Sequence, residues 1–293
     1  MTTHLAMAFY TWKGLRVAYR CCLPANPTSR AVVFVHGFGA NSGHWRHNLP
    51  VIGKHYNSYA LDLLGFGASD KPSPRLIPYT FETWGKQLGD FCREVVQQPV
   101  ILVANSIGCI VAMQTAVFYP QLVLNIAAFN CSLRLLHERK RKTLPWYKNW
   151  GALVLQRLLR NRWLGSYFYH FLARKEVIRE LLLQAYQEKR AVDEELVELI
   201  YQPSQSPGAM DVFLAFINYS TGPIPEELLP ILPCPITFFW GSLNPWEPVH
   251  LGRKLAEYPC VKDFIELEGL GHCPHDEAPQ VVNPLLLEWL AKI

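Results

Sequence analysis

Val103-Ala104-Asn105-Ser106-Ile107-Gly108 is the stretch around which the chain is organised. The apolar run over residues 99–103 reads as a buried strand and residues 107–118 read as a helix, so Ser106 falls where strand turns sharply into helix. Such a turn strains the serine backbone and needs small neighbours, which Ala104 and Gly108 supply as a relaxed G-x-S-x-G pattern. Small-x-Ser-x-Gly is common by chance. Its meaning depends on whether the rest of the chain supplies a base, an orienting group and an oxyanion hole.

At 293 residues and 50% hydrophobic, the chain has the material for one large α/β domain with a substantial core and an inserted segment. Its eight cysteines (Cys21, Cys22, Cys92, Cys109, Cys131, Cys234, Cys260, Cys273) follow no regular spacing, and several sit in apolar runs. They read as reduced thiols, and no C-x-x-C pair points to a metal. Residues 1–10 lack a charged start and a long apolar stretch, which gives no secretory signal and an intracellular expectation. No Asp, Glu, Lys or Arg occurs over residues 95–133, yet Pro99, Gly108 and Tyr119-Pro120 cut this run into pieces of globular size. The uncharged run is therefore expected to be the centre of a parallel sheet rather than a membrane span.

In chain order, a hairpin is expected around Lys13-Gly14, and a buried strand over residues 30–36 leads into the glycine-rich Gly37-Phe38-Gly39. Strands are expected over 56–63, 122–130, 235–240 and 264–267, with helices over 82–97 and 279–293. Strands alternating with helices predict a mostly parallel sheet covered on both faces. From Arg134 to about Pro230 the periodicity is helical throughout, so residues 134–230 are expected to form a helical cap inserted into a core made of 1–133 and 231–293.

A base is expected late in the chain, and Gly271-His272-Cys273-Pro274-His275 lies after the last strand, where His272 would reach the serine. His275 reads as structural, capping the final helix together with Asp276. The oxyanion hole would use the backbone N–H groups of Ile107, next after the serine, and Phe38, in the loop after the earlier strand. The orienting acid should follow the strand over 235–240, but the sequence there reads Gly241-Ser242-Leu243-Asn244-Pro245-Trp246-Glu247. Asn244 stands where Asp is expected. The other location, after the strand over 122–130, also carries an amide, Asn130, while Glu247 is a third candidate if its longer arm reaches His272. In serine proteases the Asp→Asn change costs roughly 10⁴ in kcat.

Several blocks carry a family likeness: His36-Gly37-Phe38-Gly39-Ala40-Asn41 with His44-Trp45-Arg46, the segment from Asp62 to Pro72, Asn105-Ser106-Ile107-Gly108, the segment from Gly222 to Pro230, and Gly271-His272-Cys273-Pro274-His275-Asp276-Glu277-Ala278-Pro279. Together they resemble the pheophytinase and chlorophyll dephytylase group of α/β-hydrolases over nearly the whole chain. The resemblance implies an α/β-hydrolase fold and cleavage of the phytyl ester of a chlorin pigment, with Ser106 as nucleophile and His272 as base. No metal or organic cofactor is implied. It also implies Asp at position 244, from which this chain departs.

Trp146, Trp150, Trp163 and Phe168 crowd the start of the expected cap; they would line a slot for a large apolar substrate or form the cap's own core, and both readings stay open. Between Arg134 and Lys175 there are eleven Lys or Arg and one acid, giving +10 there and −6 elsewhere out of a net +4. Such a segment would meet an anionic membrane, with the thylakoid implied by the resemblance, or be a solvated face. No recognised nucleic-acid module accompanies the charge. The functional expectation is a phytyl-ester hydrolase. Its rivals are a lipase or esterase for other isoprenoid or acyl esters, and a pigment-binding protein weakened by Asn244.

Overall fold

The computed structural model describes residues 6–25, 30–141 and 161–293. Eight strands form one sheet in the order β1-β2-β4-β3-β5-β6-β7-β8. They are β1 (Ala6–Trp12), β2 (Leu15–Cys22), β3 (Ala31–Val35), β4 (Asn57–Leu61), β5 (Val100–Asn105), β6 (Val123–Phe129), β7 (Ile236–Gly241) and β8 (Val261–Leu267). From β4 to β8 every pairing is parallel, whereas the β1–β2 hairpin and its junction with β4 are antiparallel. The hairpin turns at Lys13 and Gly14, both with positive φ (50° and 78°), as a two-residue turn between twisted strands requires.

The central strands are buried at every position because both sheet faces are covered. Alternate residues go to opposite sides. Val33, Val35, Leu102, Ala104 and Phe238 join the core on one face, and Val32, Phe34, Ile101, Val103 and Phe239 join the core on the other. On the first face lie α1 (Phe81–Phe91) and α2 (Ile107–Phe118), and on the second lies α7 (Pro279–Ala291). Helix α2 is apolar almost all round because it is enclosed by the sheet and α1. The uncharged run over residues 95–133 is thus β5, α2 and β6.

Two expected elements differ in extent. The helix expected over 82–97 stops being regular at Phe91, passes through one wide π turn at Cys92–Val96, and ends on Gln97 with φ 58°. Strand β8 begins at Val261, earlier than expected, because an edge strand tolerates the outward Lys262 and Asp263 that mask the apolar pattern.

Between β6 and β7 the described residues hold helices and no strand. The longer ones are α3 (Arg162–Leu172), α4 (Lys175–Ala185), α5 (Glu194–Ser204) and α6 (Ala209–Ile217). The Asn161 side chain caps α3 by accepting from Trp163 and Leu164, and Asp193 caps α5 by accepting from Leu196 N–H. Ile178, Ala185 and Tyr186 pack with Leu196 and with Cys273 from the loop after β8, which ties these helices to the body of the protein. Trp146 and Trp150 lie outside the described residues.

Candidate active site

The strand ends bring the site together. β3 runs into Gly37-Phe38-Gly39, β5 into Ser106, β6 into Asn130, β7 into Asn244 and β8 into the His272 loop, all at the C-terminal edge of the parallel sheet. Open parallel sheets bind ligands outside this edge.

Ser106 has φ 56° and ψ −122°, a left-handed backbone that costs a non-glycine residue about 1–3 kcal/mol and persists only where the surroundings enforce it. Enforcement comes from both sides. Ser106 N–H donates to Phe129 O at 3.0 Å, continuing the sheet, while Ser106 O accepts from Cys109 and Ser132 N–H groups. Gly108 is required by close approach, since a Cβ there would lie 2.6 Å from Val35 O and 2.7 Å from His36 O. A Cβ on Gly37 would come within 3.1 Å of Ser106 Cβ, so the β3 exit loop passes directly beside the serine. Among the described residues neither the Phe38 nor the Ile107 N–H is spent on a protein acceptor, and Phe38 lies in the same cavity wall as Ser106.

The His272 loop is pinned through its backbone. His272 N–H donates to Ala185 O at 2.8 Å, and His272 O accepts from the side-chain amides of Asn130 (2.9 Å) and Asn105 (3.2 Å). Asn130 therefore serves as a staple, accepting in turn from Gly241 N–H, and is no partner for the imidazole. The ring packs on Trp246 with centroids 4.7 Å apart, and its Nδ1 is 3.2 Å from Asn244 Oδ1. Asn244 Oδ1 also accepts from Trp246 N–H (3.0 Å) and Glu247 N–H (3.2 Å), so its amide cannot flip without setting donors against donors. Nδ1 consequently carries the proton and Nε2 is the free lone pair. This is the tautomer a general base needs, and the amide oxygen is enough to fix it. Charge is what the amide lacks. Burial, with a smaller contribution from His44, pushes the His272 imidazolium down to about 3.

Glu247 does not reach His272. Its carboxylate accepts from Ser132 Oγ at 3.1 Å instead. His275 is not a helix cap either. It is fully buried against Trp45 with centroids 4.1 Å apart, and α7 starts after Ala278. Asp276 is engaged by Arg46 Nε (3.0 Å) and Tyr186 Oη (3.0 Å), and Tyr186 Oη also meets His44 Nε2 at 2.7 Å. This buried chain, which sequence reading missed, joins the helical segment to the loop after β3 and to the His272 loop.

Ser106, His272, Phe38 and Glu247 line one cavity of about 380 Å³ whose wall is otherwise largely apolar. Of the aromatic residues read as lining a slot or as forming the cap's own core, Trp163 and Phe168 do not line this cavity. Trp163 is 87% exposed, and Phe168 packs toward Phe213. Their helix instead turns Tyr169, Leu172 and Ala173 to the cavity. Among the described residues no cluster of His, Cys, Asp and Glu could hold a metal ion.

A strained serine at the end of a central parallel strand, with a histidine after the last strand, defines the alpha/beta class of hydrolases. The description of the alpha/beta hydrolase family matches residues 32–285, and the chain belongs to that family. It is 25% identical over 314 residues to the chloroplastic pheophytinase of Arabidopsis thaliana, covering 95% of this chain but 65% of the relative, so it spans just under two thirds of that protein's length. It is also 25% identical over 282 residues to the uncharacterized hydrolase YugF of Bacillus subtilis (strain 168), covering 96% of each. The crystal structure of a serine hydrolase involved in carbazole degradation superposes with TM-score 0.77 over 99% of this chain and 100% of that one, at 18% identity, a likeness of fold.

Proposed function

We propose that this protein is a serine ester hydrolase that removes the phytyl chain from chlorophyll or pheophytin. One observation carries the chemistry: a serine held at positive φ shares an apolar cavity with a buried histidine whose tautomer is fixed by Asn244. The pigment ester is supported by the likeness to pheophytinase along nearly the whole chain. In this reading Ser106 Oγ attacks the ester carbonyl and His272 Nε2 takes its proton, while Nδ1–H keeps its bond to Asn244 Oδ1. The N–H groups of Phe38 and Ile107 receive the oxyanion, each donor contributing about 3 kcal/mol to the transition state. His272 then protonates the departing phytol, and water cleaves the acyl-enzyme by the reverse sequence of proton transfers.

The described helices α3 to α6, within the 134–230 segment, act as a cap that roofs the cavity. At 380 Å³ the cavity suits the ester and part of an isoprenoid chain, within the ~300–1,000 Å³ range of ligand pockets. The remainder of a pigment ester stays outside, where the protein meets an anionic membrane by peripheral contact through Arg134 to Lys175. Arg139, Lys140 and Arg162 pair with Glu227, Glu226 and Asp211, and among the described residues the exposed Trp163, Tyr167 and Phe171, spaced four apart on α3 beside Arg174, would make that contact. No helix among the described residues is long and apolar enough to cross a membrane. Replacing Trp163 and Tyr167 by Ser should weaken sedimentation with anionic liposomes, and unchanged sedimentation removes this contact.

Side-by-side hydrolysis of chlorophyll a, pheophytin a and a short p-nitrophenyl ester tests the reading. Pigment left intact while the simple ester turns over favours a lipase or esterase for other isoprenoid or acyl esters. Stable pigment binding without release of phytol favours a binding protein.

A further inference from the structure

Glu247 is a buried carboxyl in the cavity wall that the reaction above does not use. One of its oxygens is satisfied: Oε1 accepts from Ser132 Oγ at 3.1 Å. Its other oxygen, Oε2, is buried without a partner. A buried oxygen without a hydrogen bond costs about 1–3 kcal/mol, and one that borders a substrate cavity can recover that energy when a ligand arrives.

The chemistry of the missing partner follows from which oxygen is free. Burial raises the Glu247 carboxyl to about 7, against the smaller opposing pull of the Leu133 and Ser132 donors and of Lys140. The titratable or charged groups facing it are the Lys140 amine, from the short helix Glu138–Arg141, and the buried Cys131 thiol at the end of β6. Below neutral pH the carboxyl therefore holds a proton, and that proton belongs on Oε2, because Oε1 already accepts from Ser132 Oγ. Glu247 lines the cavity, and its carboxyl then carries an O–H with no protein acceptor. Its backbone is fixed independently, since Glu247 N–H is bonded to Asn244 Oδ1 and Glu247 O accepts from Trp240 Nε1.

We propose that Glu247, held by Ser132, forms a second polar subsite that donates a hydrogen bond to a substrate carbonyl oxygen other than the one Ser106 attacks. This rests on the ester hydrolase reading and adds a selectivity to it: an ester with a suitably placed second carbonyl is preferred over its plain counterpart. One such bond is expected to give a preference of about tenfold in kcat/KM.

The test compares a plain p-nitrophenyl alkanoate with a series carrying one ketone at successive chain positions from carbon 4 to carbon 8, between pH 6 and 8.5. Wild type, Glu247→Gln and Glu247→Leu are measured on each. At pH 6 the wild type should favour at least one ketone isomer about tenfold, and that preference should fade as pH rises through 7. Glu247→Gln keeps an N–H donor and should hold the preference at every pH. In Glu247→Leu the rates on the plain and ketone esters should converge. No preference for any isomer, or a Glu247→Leu that slows both substrates equally and keeps their ratio, overturns the subsite and leaves the hydrolase reading standing. If no ester at all is cleaved, the hydrolase reading fails first and the subsite with it.

Discussion

Asn244→Asp is the substitution whose consequence can be worked furthest. In the wild type Asn244 Oδ1 fixes the His272 tautomer through a 3.2 Å contact but offers no charge to the imidazolium that forms when Ser106 is deprotonated. His272 sits at about 3, and the gap to an ordinary histidine near 6.5 corresponds to roughly 5 kcal/mol held against the protonated ring. A carboxylate in the same place, about 4 Å from the ring charge at an effective dielectric constant near 20, restores roughly 4 kcal/mol. Part of this is lost because the second oxygen would replace Asn244 Nδ2, which is buried and already without a partner. The net expectation is a gain in kcat of roughly 10²–10³. That is smaller than the ~10⁴ seen for Asp→Asn in serine proteases, where the wrong tautomer adds to the loss; here the backbone N–H groups of Trp246 and Glu247 have kept the tautomer right. The pH profile gives the second signature. His272 is neutral throughout an assay from pH 5 to 8 in the wild type, so no acid limb from it should appear, whereas Asn244→Asp should bring one up into the ordinary histidine range. Initial rates on a p-nitrophenyl ester across that interval settle the matter. An unchanged or lower rate with no acid limb refutes the reasoning.

Other outcomes follow from the same structure. His36, His44, His272 and His275 are all buried with imidazolium forms pushed down by burial, so below pH ~6.5 the unfolded chain binds protons that the folded chain does not. Stability should be fully present above that pH and fall on acidification by up to ~1.4 kcal/mol per pH unit per histidine, partly offset by Glu247, whose raised carboxyl acts in the opposite sense up to about 7. Urea midpoints at pH 8, 6 and 5 check this, and identical midpoints would contradict it. Tyr186→Phe removes the hydroxyl between His44 and Asp276 and should cost about 2–3 kcal/mol in urea unfolding; a loss below 0.5 kcal/mol would mean the network carries little. Gly108→Ala drives a methyl against two backbone carbonyls and should lower stability by about 1–3 kcal/mol while impairing ester hydrolysis. Full activity in that variant would show that the turn at Ser106 is not under the constraint described.

The legible part of the molecule was the part set by local chemistry. β5 and α2 could be bounded closely because an uncharged run is interrupted only where small residues and a serine demand a turn. Asn244 and His272 were found by their order after the last strands, and their side chains meet. What escaped depends on which way a side chain faces. Trp163, Phe168 and Tyr169 all lie on α3, yet only packing against α6 decides that Tyr169 turns to the cavity while Trp163 faces out. The hydrogen-bonded chain of His44, Tyr186 and Asp276 spans 142 and 90 residues of sequence separation, and no periodic or spacing signal encodes such a meeting. Glu247 shows the same limit, for its partner Ser132 lies 115 residues away.

The central claim is that Ser106 cleaves a phytyl ester. Its most direct measurement is the quantity of free phytol and of the matching chlorin acid released from detergent-dispersed pheophytin a by the wild type and by Ser106→Ala. The account expects phytol and chlorin acid in equal amounts from the wild type and neither from the variant. Release by Ser106→Ala at the wild-type rate, or no release by the wild type while it hydrolyses a short p-nitrophenyl ester, would contradict it.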